Sequence, residues 1–195
     1  MKDGALGVAQ ARVGPNAILQ CAPALAALGG EDLTRRIYAD AGLSRMLDMP
    51  PETMVPQDEV VALHRAIADG LPPGQAAQVA RDAGARTGRY IVENRIPAPA
   101  RLMLRALPAR LSGPALLRAI TRHAWTFAGD ADVLHDPGPG MRLAILDNPL
   151  AIGPCHWHEA VLQTMFRRLV SRRAQVRETR CCARGAPACI FEIAM

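Results

Sequence analysis

Five cysteines carry the clearest chemistry in this chain: Cys21, Cys155, Cys181, Cys182 and Cys189. The last four fall within the final 41 residues. Cys181 and Cys189 flank a segment holding Gly185 and Pro187, a turn that can bring two thiolates onto one ion. Cys155 opens a helical segment, where free N–H groups and the helix dipole favour a thiolate. Glu178 lies three residues before Cys181. Three thiolates and one carboxylate fill the tetrahedron that a zinc ion requires. In a regular strand, however, Glu178 and Cys181 point to opposite faces. A shared ion therefore requires the chain to bulge or turn near Thr179 and Arg180. The odd number of cysteines argues against a secreted disulfide framework. Spacing alone leaves two readings open, a metal site or buried thiols acting as small hydrophobes. It matches none of the common iron–sulfur ligand runs.

The histidines are His64, His123, His135, His156 and His158. His123 shares a predicted helix face with Leu116, Ile120 and Phe127, with Trp125 two residues on. That context suits an apolar ligand pocket, and equally a hydrogen-bonded core histidine. His156 and His158 adjoin Cys155 and can brace the helix there. His135 falls in a polar loop.

Two kinds of element must position these groups. The first two-thirds reads as helices. Asn16 can cap a helix over 17–29 that ends at Gly29-Gly30, and a short helix follows over 32–41. Asp58 can cap the next, where Val60, His64, Ile67 and Leu71 recur at helical spacing. After Pro72-Pro73-Gly74 a longer helix runs to about Asn94. On it Gly84 and Gly88 lie four apart and predict close backbone packing. Pro97 and Pro99 mark a break. Ser112 begins a last helix with Pro114 in its first turn, closed by Gly129. Residues 130–140 read as a loop around at most one short strand. A strand over 141–147, a helix over 156–170 and a hairpin of strands over 174–179 and 188–193 complete the chain. The order predicts one α+β domain over 1–195, with a mainly helical part (1–130) packed on an antiparallel sheet (131–195).

Composition agrees. The chain has 195 residues, 50% hydrophobic and 21% charged, which excludes a disordered protein; aromatics are 4%, so the core must be aliphatic. Basic residues number 23 against 18 acidic, and Lys2 is the only lysine. The densest basic run is Arg167, Arg168, Arg172, Arg173, Arg177, Arg180 and Arg184. It lacks interleaved aromatics and any nucleic-acid motif, so it reads as a solvated face, and no nucleic-acid partner is expected. The uncharged stretch 13–30 holds Asn16, Gln20, Pro15 and Pro23 and reads as a kinked, buried helix rather than a span. Asp3 and Arg12 interrupt any signal peptide. A cytoplasmic protein is expected, with peripheral membrane contact left open.

The segments Cys155-His-Trp-His-Glu159, Val176-Arg-Glu-Thr-Arg-Cys181 and Gly185-Ala-Pro-Ala-Cys-Ile-Phe191 resemble the vinyl-4-reductase domain family. The whole chain is similar to small members that serve bacteriochlorophyll biosynthesis. The family also includes sensory domains of aromatic-responsive transcription activators, in which three cysteines and a glutamate hold zinc. That pattern falls on Cys155, Glu178, Cys181 and Cys189, and Cys182 has no counterpart in it. The resemblance implies a structural zinc. It also implies a fold like the ligand-binding domains related to vesicle-tethering subunits and haem–nitric-oxide sensors, and a homodimer. Its ligand would be a magnesium tetrapyrrole of chlorophyllide or protochlorophyllide type, with His123 and Trp125 as pocket candidates. Other enzymes of the pathway would be its partners.

Reduction of a vinyl group takes a hydride from a nicotinamide, flavin or similar cofactor. No G-x-G-x-x-G follows a strand here, and Gly138-Pro-Gly140 is too short to cradle a pyrophosphate. The expected role is therefore an accessory or carrier protein. A 4-vinyl reductase acting on divinyl precursors is the alternative, and a ligand sensor the second alternative.

Overall fold

Prolines set where the helices begin. A computed structural model describes residues 11–138 and 140–195, apart from the side chain of Trp125. In chain order it contains β1 (Arg12–Val13), α1 (Asn16–Leu19), α2 (Cys21–Asp40), α3 (Arg45–Asp48), β2 (Val55–Pro56) and α4 (Gln57–Gly70). Next come α5 (Pro73–Tyr90), extended by a π-turn over Ile91–Arg95, α6 (Ala98–Ala106), α7 (Ala109–Arg122) and α8 (Trp125–Ala128). The last part holds β3 (Val133–Asp136), β4 (Met141–Leu146), α9 (His156–Leu169), β5 (Gln175–Arg180) and β6 (Ala188–Ala194). Helices α4, α5, α6 and α7 each follow a proline, Pro56, Pro72, Pro97 and Pro108, held at φ −53 to −55° with ψ 134–142°. The fixed ring enforces that φ and lets the chain enter a helix one residue later.

This punctuation corrects the sequence reading in the middle of the chain. Pro97 starts α6 rather than only ending α5, and Pro99 sits in its first turn. Helix α7 begins at Ala109, so Pro114 lies inside it. The helix expected to reach Gly129 stops at Arg122. There the Thr126 hydroxyl donates to the His123 carbonyl at 2.8 Å, and α8 follows as a separate turn. Asn16 lies inside α1 and makes no cap. The Gly29–Gly30 break is where it was expected: Gly30 takes φ +78°, which only glycine adopts without strain.

Among the described residues, β3, β4, β6 and β5 form an antiparallel sheet in that order. The helices pack against it, so the class is α+β as expected. Leu143 pairs with Phe191 and Ile145 with Cys189, and all four are buried. Helix α9 is the middle of the structure. Val161, Leu162, Met165, Phe166 and Leu169 are buried, and the His158 ring lies 6.1 Å from that of Phe191 on the sheet. On its other side α9 meets α5 through the two predicted glycines. A Cβ on Gly84 would sit 2.3 Å from the Trp157 carbonyl oxygen, and one on Gly88 would sit 2.8 Å from Thr164 Cβ. Lys2, Asp3 and Pro139 lie outside the described residues. No described helix is long and apolar enough to cross a membrane.

Candidate metal centre

Three elements deliver the four predicted ligands to one place. Cys155 occupies the position before α9, with non-helical φ −77° and ψ 51°. Cys189 lies on the buried face of β6, between Ala188 and Ile190 and opposite Ile145. Glu178 and Cys181 come from the end of β5. There the register slips: Glu178 pairs with Phe191 and Arg180 with Ile190, so Thr179 is an extra residue in β5. This β-bulge shifts the alternation by one, and residues three apart then share a face. It is the irregularity that a shared ion required. A 3-10 turn over Cys182–Arg184 follows, closed by Gly185 at φ +81°.

The donor atoms of Cys155, Glu178, Cys181 and Cys189 all lie within 4.8 Å of one another. Cys155 Sγ is 3.4 Å from Cys189 Sγ and 3.9 Å from Cys181 Sγ. Thiolates around a tetrahedral zinc stand about 3.8 Å apart. The three cysteines are buried, and the Glu178 side chain is 6% exposed. Its Oε2 accepts the Cys155 N–H at 3.2 Å and Arg184 at 3.3 Å. Its Oε1 is buried without a hydrogen-bond partner. An unpartnered buried carboxylate oxygen among three sulfurs costs free energy, and a cation there would remove that cost. The donor set and its geometry therefore fit a metal ion.

The surroundings already favour negative charge. The Cys182 N–H donates to Cys189 Sγ at 3.3 Å, and Asn148 Nδ2 to Cys155 Sγ at 3.6 Å. Cys189 is held down at about 5, first by the hydrogen bond from Cys155. The Cys155 thiol is pushed far up by that same hydrogen bond and then by burial. Burial pushes Cys181 up to about 11. Without a metal, then, one proton position is already vacated at neutral pH and two are filled. In the sequence Asn148 reads only as a turn residue. Its Oδ1 does accept the Leu150 N–H at 3.1 Å, but its amide reaches the cluster as well. Glu159 gives no signal of its own in the sequence: its Oε2 accepts the Glu178 N–H at 3.0 Å and ties β5 to α9. Cys182 is half-buried and stands outside the donor set.

The model of the vinyl-4-reductase domain family matches residues 153–195, a span that contains all four donors. The chain is 44% identical to the bacteriochlorophyll synthase 23 kDa chain of Cereibacter sphaeroides over 188 residues, 93% of this chain and 90% of that one. It is 34% identical to the chain of the same description from Rhodobacter capsulatus, over 92% of this chain and 85% of that one. The chain belongs to the family of the bacteriochlorophyll synthase 23 kDa chains. The relatedness extends through the helical part, beyond the segment that carries the cysteines.

The histidines fall into two groups. His64 and His158 border a cleft of about 270 Å³ beside Cys155, together with Trp157, His156, Cys21 and Leu150. Burial holds His64 below its usual range and His158 at about 4, so both are neutral at pH 7. His64 Nε2 lies 3.0 Å from the Ala17 carbonyl and His158 Nε2 3.3 Å from that of Phe127. A carbonyl only accepts, so Nε2 carries the proton in each and Nδ1 keeps its lone pair. Trp157 Nε1 is buried without a partner. His156 accepts Arg81 at Nδ1, 3.3 Å away. The predicted pocket residue His123 is elsewhere. It is exposed at the end of α7, because that helix stops one residue before it, while Leu116, Ile120 and Phe127 are buried. Its Nδ1 donates to the Ala119 carbonyl at 2.9 Å. The Trp125 side chain lies outside the described residues.

Proposed function

We propose that this chain is a zinc-braced carrier that binds a magnesium tetrapyrrole of bacteriochlorophyll biosynthesis and presents it to the enzymes of that pathway. The observation that carries this reading is the near full-length relatedness to chains described as parts of bacteriochlorophyll synthase. A chain of a larger assembly needs a binding surface and a stable frame, and the frame is what the donor cluster supports. Zinc held by four protein ligands has no open position, so its role when bound is structural. Cys155 then fixes the start of α9, and Cys181 and Cys189 fix the hairpin against it. Arg184 and the Cys155 N–H orient Glu178 for the same task.

For the magnesium of the pigment, His123 is the proposed axial base. Its committed Nδ1 leaves Nε2 free, the arrangement usual in metal-binding histidines. Its exposure suits a macrocycle too large for the 270 Å³ cleft, since pockets for drug-sized ligands start at about 300 Å³. Trp125 is proposed as its neighbour in the contact. The homodimer, and kinship with vesicle-tethering and haem–nitric-oxide-sensor domains, belong to the same proposal.

The described sheet is antiparallel throughout. It has no crevice at the carboxyl ends of parallel strands, where doubly wound folds hold dinucleotides. That favours the carrier over a self-sufficient 4-vinyl reductase. The test is an absorbance titration of the pure protein with divinyl chlorophyllide, with and without NADPH. A shifted, saturable spectrum without product is expected. Catalytic conversion to the monovinyl pigment by this protein alone would replace the carrier with the reductase.

A further inference from the structure

The strongest feature that neither the metal cluster nor the cleft absorbs is a one-signed surface. Residues 94–129 and 160–173 hold ten of the 23 basic residues and none of the 18 acidic ones. The fold brings the two segments together: Arg105 Nε donates to the Arg168 carbonyl at 3.0 Å. Arg105, Arg167, Arg168 and Arg172 border a depression of about 600 Å³ at the C-terminal end of α9. The nearest acid on an adjoining element, Glu93, is engaged by Arg168 at 2.6 Å.

Beside this depression the α6–α7 corner exposes apolar side chains. Leu102 is 71% exposed, Met103 55%, Leu107 37% and Leu111 53%. These are four of the seven large exposed hydrophobics among the described residues, gathered within ten positions. In α6 only Leu104 turns its side chain fully into the core. Single exposed aliphatics are ordinary, but a cluster of this kind marks an interaction surface.

We propose that the α6–α7 corner, with the adjoining end of α9, docks this protein onto an anionic lipid bilayer. Leu102, Met103, Leu107 and Leu111 enter the headgroup–acyl boundary, and the arginines meet lipid phosphates. Aliphatic side chains beside arginines on a short surface helix are the pattern of interfacial helices, whose long basic side chains reach back to the headgroups. The depression between Arg105, Arg167 and Arg172 suits a phosphate-bearing headgroup by charge and by size. A nucleic acid would match the arginines but leave the four aliphatics exposed, and no described aromatic stands among them as a stacking platform.

The test is co-sedimentation of the full chain with vesicles of phosphatidylcholine, with and without phosphatidylglycerol. Two triple variants accompany it, Leu102→Ser/Met103→Ser/Leu111→Ser and Arg110→Gln/Arg172→Gln/Arg173→Gln. Binding to phosphatidylglycerol vesicles is expected to exceed that to phosphatidylcholine at least tenfold and to fall with salt. Each arginine removed lowers partitioning about fivefold, so the second triple loses roughly a hundredfold. The serine triple should lose at least tenfold. Both should melt like the parent, because the altered side chains are exposed. Equal binding to the two vesicles, or full binding by the serine triple, would overturn the proposal. So would absence of vesicle binding together with a dimer that the serine triple dissociates, since the face would then be a protein interface.

Discussion

Replacing Gly84 by alanine tests the packing that holds the metal centre in place. Alanine gains about 1 kcal/mol of helix propensity over glycine, so propensity alone makes Gly84→Ala stabilising. The structure predicts the opposite sign. The new Cβ would lie 2.3 Å from the Trp157 carbonyl oxygen and 2.9 Å from Ala160 Cβ. Both obstacles are fixed to the backbone of α9, so that helix must retreat by roughly 1 Å to restore ordinary contact. It cannot simply tilt about this point. One turn on, Gly88 is equally close to the Val161 carbonyl oxygen, at 2.9 Å for a Cβ there. Overpacking of this kind costs about 1–3 kcal/mol. Set against the propensity gain, the net loss is about 1–2 kcal/mol, a fall in Tm of about 2–8 °C for a chain of this size. The same displacement moves Cys155, two residues before Trp157, so metal affinity should fall as well. Urea unfolding and chelator competition measure the two effects. Gly74→Ala on the same helix is the control, because nothing lies within 4 Å of its Cβ position. It should be neutral or stabilising. A Gly84→Ala protein at least as stable as the parent, with unchanged metal affinity, would refute the packing argument.

Other outcomes follow from the same structure. Cys182→Ser should keep the metal and the parent's melting temperature, whereas Cys181→Ser and Cys189→Ser should lose both, as read by elemental analysis and thermal melting. His158, held at about 4 when folded, takes up a proton near pH 6.5 when unfolded. Its contribution to stability is therefore complete above pH 6.5 and declines as the pH falls towards 4, by roughly 3 kcal/mol. Urea titrations at several pH values should show this decline in the parent and a shallower one in His158→Gln. His123→Ala should weaken pigment binding with metal content and melting temperature unchanged; a large loss of stability with unaltered affinity would identify a structural histidine instead.

The donor cluster is legible in the sequence because its residue types are few and its spacing is short. Even the geometric obstacle can be read, since strand alternation forbids Glu178 and Cys181 a common face. The bulge at Thr179 resolves it, and no residue type marks where the extra residue sits. The glycine pair on α5 is equally informative, because little else explains two glycines one turn apart inside a soluble helix. The middle of the chain misleads. Its prolines break a helix or begin one with the same residue, and only the partner surfaces decide which. Pro97 and Pro108 begin helices, so α6 has no distinct signal and Ser112 marks the start of α7 three residues late. The His123 stripe fails for a related reason. Helical spacing from 116 to 127 assumes a continuous helix, and a turn at His123 rotates everything after it. The cleft that gathers His64, Trp157 and His158 depends on packing between α4 and α9. No local pattern could place those residues together.

X-ray absorption at the zinc edge, on protein purified without added metal, tests the proposed centre most directly. One zinc per chain is predicted, with three sulfur neighbours at about 2.3 Å and one oxygen at about 2.0 Å. A folded protein without zinc, or a zinc surrounded by nitrogen from histidine, would contradict it.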